Sequence, residues 1–524
     1  MTQQKLTIGR AKDWVQLNSD KINRHGAIFG ATGTGKTVTL KVLAEQLSAV
    51  GVPVFLADVK GDLASLCLPA AVDEKIAARL EQLQLLDYEP QSFPVEFLDV
   101  YGQSGCALRS TVSEMGPVLL SRILGLNAIQ EGVLNICFSV ADENRMLLVD
   151  IKDLRAMLNY IDENKNELRA RYGNISSSSV GAILRALLVV EEQGGDRFFG
   201  EPSFEIEDLL RTAPDGRGII SILASDQLLL SPMLYATFLL WLLTELYQTL
   251  PEVGDQEYPR IAFFFDEAHL LFRDIPPYLS QQIEQMVRLS RSKGIGIYFI
   301  TQSPSDIPEI ILSQCGNKIQ HALRAYTPKD QLAIRKMAQN FCQDGSFSVE
   351  EAITTLAVGE ALVSVLDENG APTPVVRTMI FPPRSQMAAI DPLSRMQLLN
   401  QSALLEKYAQ AIDRESAYEL LAAEKEKTIK EQEEQRLVQE QEKQNQLAER
   451  EAQKQQLAEQ KRQEAQLERA QRAAERLAEA EARRKAREAA KPSGAEKFAN
   501  QVVGSIGREF GRQITRSFLG IFKK

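Results

Sequence analysis

Eight short, mostly apolar runs punctuate the chain between residues 20 and about 380: HGAIFG, VPVFLAD, FPVEFLDV, GIISIL, RIAFFFD, GIYFITQ, NKIQHALR and EALVSVL. Several show no alternation of apolar and polar positions. A strand covered on both faces reads this way, whereas a strand with one wet face alternates. Helical spacings separate the runs, so the pattern predicts an α/β core with a largely parallel sheet over residues 1–390. Between about residues 105 and 210 the spacing is mostly helical, which predicts a helical insertion in that core. The uncharged stretch QLLLSPMLYATFLLWLLT, Gln227 to Thr244, approaches the length of a membrane span. It lies between two strand-like runs, so a buried helix is expected, with Ser231 as N-cap and Pro232 at the first helical position.

Past Pro392 the pattern changes. From about Leu404 to Ala490 the chain is rich in Glu, Gln, Lys, Arg and Ala and has no Gly or Pro, which predicts one long charged helix within residues 391–490. Leu437, Leu447, Leu457, Leu467 and Leu477 recur every tenth residue. That spacing rotates each leucine by roughly 80° from the last, so no heptad seam forms. A solvated helix or a weak coiled coil is expected. KPSG then breaks the helix. In residues 491–524, Phe498, Val502, Ile506, Phe510, Ile514 and Phe518 recur every fourth residue among Arg508, Arg512 and Arg516. This predicts a basic amphipathic helix, open to docking on the core or a neighbouring subunit, to peripheral membrane contact, or to disorder.

Composition narrows the classes. The apolar share, 44% of 524 residues, is that of a globular protein. A net charge of −10 offers no global basic surface, although a translocating machine can confine its cations to a pore. Cys67, Cys106, Cys137, Cys315 and Cys342 are scattered without a CxxC pair, the pattern of reduced core thiols in a cytoplasmic protein. The N-terminal MTQQKLTIGRAKDW lacks a signal peptide's apolar stretch.

The chemistry concentrates in GATGTGKT, which comprises Gly30, Ala31, Thr32, Gly33, Thr34, Gly35, Lys36 and Thr37, with a strand before it and a helix after it. Glycines let backbone N–H groups turn inward around phosphates, and the helix N-terminus adds positive potential. Lys36 is suited to the β- and γ-phosphates and Thr37 to Mg²⁺. The run IAFFFDEAH ends a buried strand in two acids, Asp266 for the Mg²⁺ shell and Glu267 to polarise an attacking water. That glutamate points to hydrolysis, and the lack of an NKxD element points to ATP over GTP. Asp58 closes the next strand and is placed to order metal-bound water; Gln302 after GIYFIT is placed to sense the γ-phosphate; the lesser alternative for each is a turn or cap residue. Arg291, in VRLSRSKG, suits either a helix dipole or an arginine finger reaching a neighbour's nucleotide. The serines of RYGNISSSSVGAILR read as a helix start or as a phosphate cradle.

Together these residues resemble the HerA–FtsK superfamily of P-loop ATPases, closest to its bacterial YjgR-like branch. The resemblance runs over residues 15 to about 385, through NRHGAIFGATGTGKTVTL, FLADVKGDLA, TVSEMGPVLLSRILGLN, FFFDEAHLLF, VRLSRSKGIGIYFITQSP and GNKIQHALRAYTPKDQ. It implies a RecA/FtsK-like core, ATP and Mg²⁺ as ligands, Lys36 and Thr37 as the Walker A pair, Asp266 and Glu267 as the Walker B pair, Gln302 as sensor and Arg291 as finger. It further implies roles for Arg24 and Arg324. It suggests a homo-hexamer that threads double-stranded DNA, with a protein or membrane-associated substrate, as in secretion-type relatives, as the alternative. The N-terminal barrel of archaeal HerA helicases is not expected ahead of Gly30, so their nuclease partnership is not implied.

Overall fold

The apolar runs pair into one 12-stranded sheet in a computed structural model that describes residues 5–489 apart from 254, 255, 274 and 326. Its strands are β1 Lys5–Arg10, β2 Trp14–Asn18, β3 Gly26–Phe29, β4 Val54–Asp58, β5 Val95–Asp99 and β6 Cys106–Ala107. They continue as β7 Ile220–Ala224, β8 Ile261–Phe265, β9 Ile295–Thr301, β10 Asn317–His321, β11 Glu360–Ser364 and β12 Val376–Ile380. The order is β2-β1-β12-β11-β10-β3-β9-β8-β4-β7-β5-β6. Every pairing from β10 to β6 is parallel. The pairings from β2 to β10 are antiparallel.

The continuous apolarity of the central strands has its reason in the two faces they cover. Phe55, Ala57, Phe263, Phe265, Ile297 and Phe299 face one core layer, and Val54, Leu56, Ala262, Phe264, Tyr298 and Ile300 face the other. The first layer is completed by the helices between β6 and β7, among them Val112–Ile123, Ala128–Glu143, Ile151–Glu163 and Ser177–Val190. The second contains the helix Lys36–Ala49. Beyond Lys36 at its start, the helix buries two charges, both engaged: Lys41 Nζ donates to Ser65 Oγ and the Gln386 carbonyl, both at 2.7 Å. Glu45 accepts from the N–H groups of Arg384 and Ser385 and from the Ser385 hydroxyl. A buried charge persists only on such terms.

Several expectations are refined. The uncharged stretch forms the buried helix Pro232–Thr249, but Ser231 at its N-cap position makes no side-chain cap and instead accepts from the Tyr101 hydroxyl. Among the described residues no single helix is long and apolar enough to cross a membrane. The serine cluster is a helix start, with Ser176 Oγ accepting from the Ser179 N–H. Cys106, Cys137 and Cys315 are core thiols, whereas Cys342 is exposed. The charged helix begins at Ala417 and runs to Ala489, later than Leu404. Before it come the short helices Pro392–Leu399 and Ala403–Tyr408, because Leu404, Tyr408, Ala417 and Leu421 are buried. The chain divides into compact units at Lys427/Thr428, and within the second Leu437, Leu447, Leu457, Leu467 and Leu477 are exposed. The amphipathic segment expected at 491–524 lies outside the described residues.

Candidate nucleotide site

The strand β3 turns at Gly30 into the loop that ends at Gly35, and the helix Lys36–Ala49 leaves from it. Gly30 (φ 154°) and Gly35 (φ 119°) hold positive-φ backbone, and a Cβ at Gly30 would fall 2.5 Å from Cβ of His321. The loop is tied to its neighbours: Ala31 N–H donates to the Ala322 carbonyl (2.9 Å), Gly359 N–H to the Thr34 carbonyl (3.0 Å) and the Thr34 hydroxyl to the Ala31 carbonyl (2.7 Å). Beneath it His321, at the end of β10, joins Thr39 Oγ1 through Nε2 (2.8 Å) and the Glu360 carbonyl through Nδ1 (2.9 Å). Burial lowers the His321 pKa to about 4, so its ring is a neutral pillar. Thr32 and Gly33 are exposed at the loop's crest, and Thr37 is half-buried on the first helical turn.

Lys36 is 6% exposed, and its Nζ donates to the Gly30 (2.7 Å) and Ala31 (3.2 Å) carbonyls. Burial lowers its pKa, with the Lys60 cation adding to the effect and Glu267 and Asp266 opposing it. That coupling puts Lys36 and the two acids after β8 in one electrostatic site. Asp266 is 2% exposed, its Oδ2 is buried without a hydrogen-bond partner, and burial raises its pKa to about 6. Glu267 stands in the left-handed region (φ 47°), its Oε1 accepting from Lys60 Nζ at 2.5 Å. Burial pushes the Glu267 carboxyl up, but the Lys60 hydrogen bond and the charges of Lys60 and Lys36 together bring it below its ordinary value. Among the described residues no cluster of His, Cys, Asp or Glu forms a metal cage. An orphaned carboxylate oxygen and a threonine hydroxyl are instead the hard, sparse donor set that suits Mg²⁺ shared with phosphates.

Gln302 follows the end of β9, whose Thr301 pairs with Phe29, so it shares the edge of the sheet from which the phosphate loop rises. Arg324, three residues past β10, is on that edge too and donates to the Thr354 carbonyl at 2.6 Å. Asp58 is otherwise engaged. Its Oδ1 accepts from the N–H groups of Lys60 (3.2 Å) and Gly61 (2.8 Å), and its Oδ2 from that of Leu63 (3.1 Å). Of the two readings its position allowed, the turn is the one its contacts display.

Arg24 and Arg291 stand elsewhere. Arg24 precedes β3, and its carbonyl accepts from the Gly316 N–H at the start of β10. Arg291 opens the turn Arg291–Lys293 that leads into β9 and adds its charge to the field at His25. Ile297 N–H of β9 donates to His25 Nδ1. Both arginines therefore lie at the amino edge of the parallel strands, opposite the phosphate loop.

Lys60, His321 and Arg79 were not singled out from sequence. Arg79 borders a cavity of about 770 Å³ beside the loop, lined also by Gly35, Val38, Ile76, Gly359 and Phe381. Its Nη2 donates to the Val358 carbonyl at 2.8 Å and its Nη1 is buried without a partner. A lysine, histidine or arginine whose task depends on a distant loop leaves no local spacing to read.

A family model described as "Helicase HerA-like C-terminal" matches residues 3–524. The DNA double-strand break repair helicase HerA of Saccharolobus solfataricus is 23% identical over 356 residues, which cover 67% of this chain and 63% of that protein. The protein of the same name from Sulfolobus acidocaldarius is 22% identical over 352 residues, covering 67% and 64%. The chain thus matches less than two thirds of the length of these relatives. Among solved structures, the bacterial conjugative coupling protein TrwBdeltaN70 aligns with a TM-score of 0.51 at 15% identity, over 74% of this chain and 92% of its own. The plasmid coupling protein TrwB in complex with ADP and Mg²⁺ aligns with a TM-score of 0.51 at 16% identity, over 75% and 92%. At that identity the likeness is one of fold.

Proposed function

The chain belongs to the HerA-like helicase C-terminal family, and on that premise we propose that it is an ATP hydrolase that assembles as a homo-hexameric ring and moves along or unwinds double-stranded DNA. Within the family we place it in the bacterial YjgR-like branch, on the sequence runs quoted above. The observation that carries the proposal is the convergence of Lys36, Asp266 and Glu267 in one buried electrostatic site at the carboxyl edge of the sheet. Loop N–H groups and Lys36 hold the β- and γ-phosphates, and Thr37 and Asp266 are the residues to hold Mg²⁺, which screens phosphate charge. Glu267 takes a proton from the attacking water, while Gln302 and Arg324 on the same edge contact the γ-phosphate. The base occupies the cavity beside Arg79.

Steady-state ATPase rates of the full chain, with and without duplex DNA, test this reading. Several-fold stimulation that fades steeply with added salt supports it. Absence of hydrolysis with Mg²⁺ present refutes it. The acidic balance of the chain favours a second reading, a protein or membrane-associated substrate. Brisk ATPase indifferent to DNA at low salt selects that one.

A further inference from the structure

Lys60 has no task in the hydrolysis scheme above, yet its setting is specific. It lies on the loop after β4, and its ammonium crosses to the neighbouring strand's end to bond Oε1 of Glu267. The loop that delivers it is held from beneath by Asp58, whose carboxylate takes the N–H groups of Lys60, Gly61 and Leu63. Gly61 supplies the positive φ of 76° that the turn requires. On the receiving side, Glu267 is fixed by its own left-handed backbone. Its Oε2 is buried without a hydrogen-bond partner, 3.4 Å from His269 Nδ1. One oxygen of this carboxylate is thus pinned by a hydrogen bond, while the other makes none and has only the His269 ring nitrogen close by. Burial works against the Lys60 charge, but the hydrogen bond to Glu267 and the charges of Asp266, Glu267 and Asp62 raise its pKa above the ordinary value.

We propose that Lys60 is a positioning residue for hydrolysis: it pins Oε1 of Glu267 so that Oε2 faces the attacking water, and Asp58 holds the loop that brings the lysine there. In the step it serves, the water oxygen bonds to the γ-phosphorus and its proton passes to Oε2. The bond to the bridging oxygen breaks, and its electron pair leaves with ADP. The inference rests on the ATP-hydrolase reading and adds a residue to it. It also gives Asp58 a part in the chemistry through the loop, without contact to metal-bound water.

The test uses the full chain with Mg²⁺ and ATP, comparing wild type, Lys60→Met, Lys60→Arg, Glu267→Gln and the Lys60→Met/Glu267→Gln double variant. Lys60→Met is expected to lower kcat about 10- to 100-fold, a part of what a general base contributes. KM for ATP should stay within about 2-fold, and Lys60→Arg should recover most of kcat. In the Glu267→Gln background the lysine change should add no further loss, because residues acting as one unit are not additive. The Lys60 side chain is 42% exposed but the Glu267 carboxylate only 7%, so any fall in melting temperature in Lys60→Met is read against Lys60→Arg, which keeps the ion pair. A raised KM with kcat unchanged makes Lys60 a phosphate ligand and overturns the proposal. A kcat that rises makes it a brake, and full additivity with Glu267→Gln makes it independent; either overturns it as well. If wild type fails to hydrolyse ATP, the function reading falls; if wild type is active and Lys60→Met equals it, only this inference falls.

Discussion

His321 shows how much of a phosphate loop can hang on a residue outside it. Its Cβ fills the space beside Gly30 and its ring that beside Gly35, and the ring links Thr39 to the Glu360 carbonyl. Burial depresses its pKa to about 4, with the nearby Lys36 charge adding to the effect. Between that value and the unfolded value near 6.5, the unfolded chain binds a proton that the folded chain refuses. The stability the neutral ring contributes is therefore present above pH 6.5 and is lost as pH falls toward 4. His321→Gln should cost about 1 to 2 kcal/mol at pH 7, and chemical denaturation at several pH values should show that gap narrowing toward pH 4.5. A gap constant across that range would contradict the burial account. Glu267→Gln should keep ATP affinity and lose about 10²- to 10⁴-fold in turnover, read by nucleotide titration beside single-turnover rates. Lys36, Asp266 and Glu267 were legible because each is fixed by a short motif at a strand end. Lys60 and His321 were not, since their partners lie 207 and 282 residues away along the chain.

The same contrast of local and distant causes holds for whole elements. The eight apolar runs became β3, β4, β5 and β7 to β11 because burial on both faces writes an unbroken apolar signature. β1, β2, β6 and β12 have no such signature: burial in β1, β2 and β12 alternates or is partial, β6 is two residues long, and KLTIGR or VRTMI alone does not announce a partner. The charged helix was legible in kind but not in its start. Its N-terminal approach is set by side chains that dock on the core, chiefly Tyr408, which is fully buried and lies 5.0 Å from Phe204 between ring centroids. The Tyr408 hydroxyl donates to Asp208 at 2.6 Å and accepts from the Glu205 N–H at 3.0 Å. Tyr408→Ala should therefore destabilise the first unit by about 3 to 5 kcal/mol, measured by urea unfolding. Leu447→Ala, on the exposed helix, should change stability by less than about 0.5 kcal/mol. Equal effects would mean that the segment from Ala403 to Tyr408 is not part of the core.

At the scale of the molecule, the sheet separates two sets of polar and charged residues. Lys36, Glu267, Gln302 and Arg324 gather at the carboxyl edge of the strands, and Arg24 and Arg291 at the amino edge. Even β3, with four residues, spans about 13 Å at roughly 3.3 Å per residue, more than an arginine side chain bridges around a packed core. Neither arginine can therefore serve its own protomer's nucleotide. If they complete a site, it is a neighbour's, and head-to-tail contacts of that kind form a ring where the rotation between neighbours closes. Arg291→Ala should then bind ATP normally and lose turnover, as Lys36→Ala loses binding. Each variant keeps the half that the other lacks. With random mixing at equal amounts, about one site in four pairs an intact phosphate loop with an intact arginine, so about a quarter of the wild-type rate should return. Particle mass establishes that the two variants co-assemble, and the ATPase rate of the mixture then decides. A mixed assembly with no gain over its separate components would show that Arg291 serves the fold or the helix end, and that each nucleotide is cleaved without help from the next subunit.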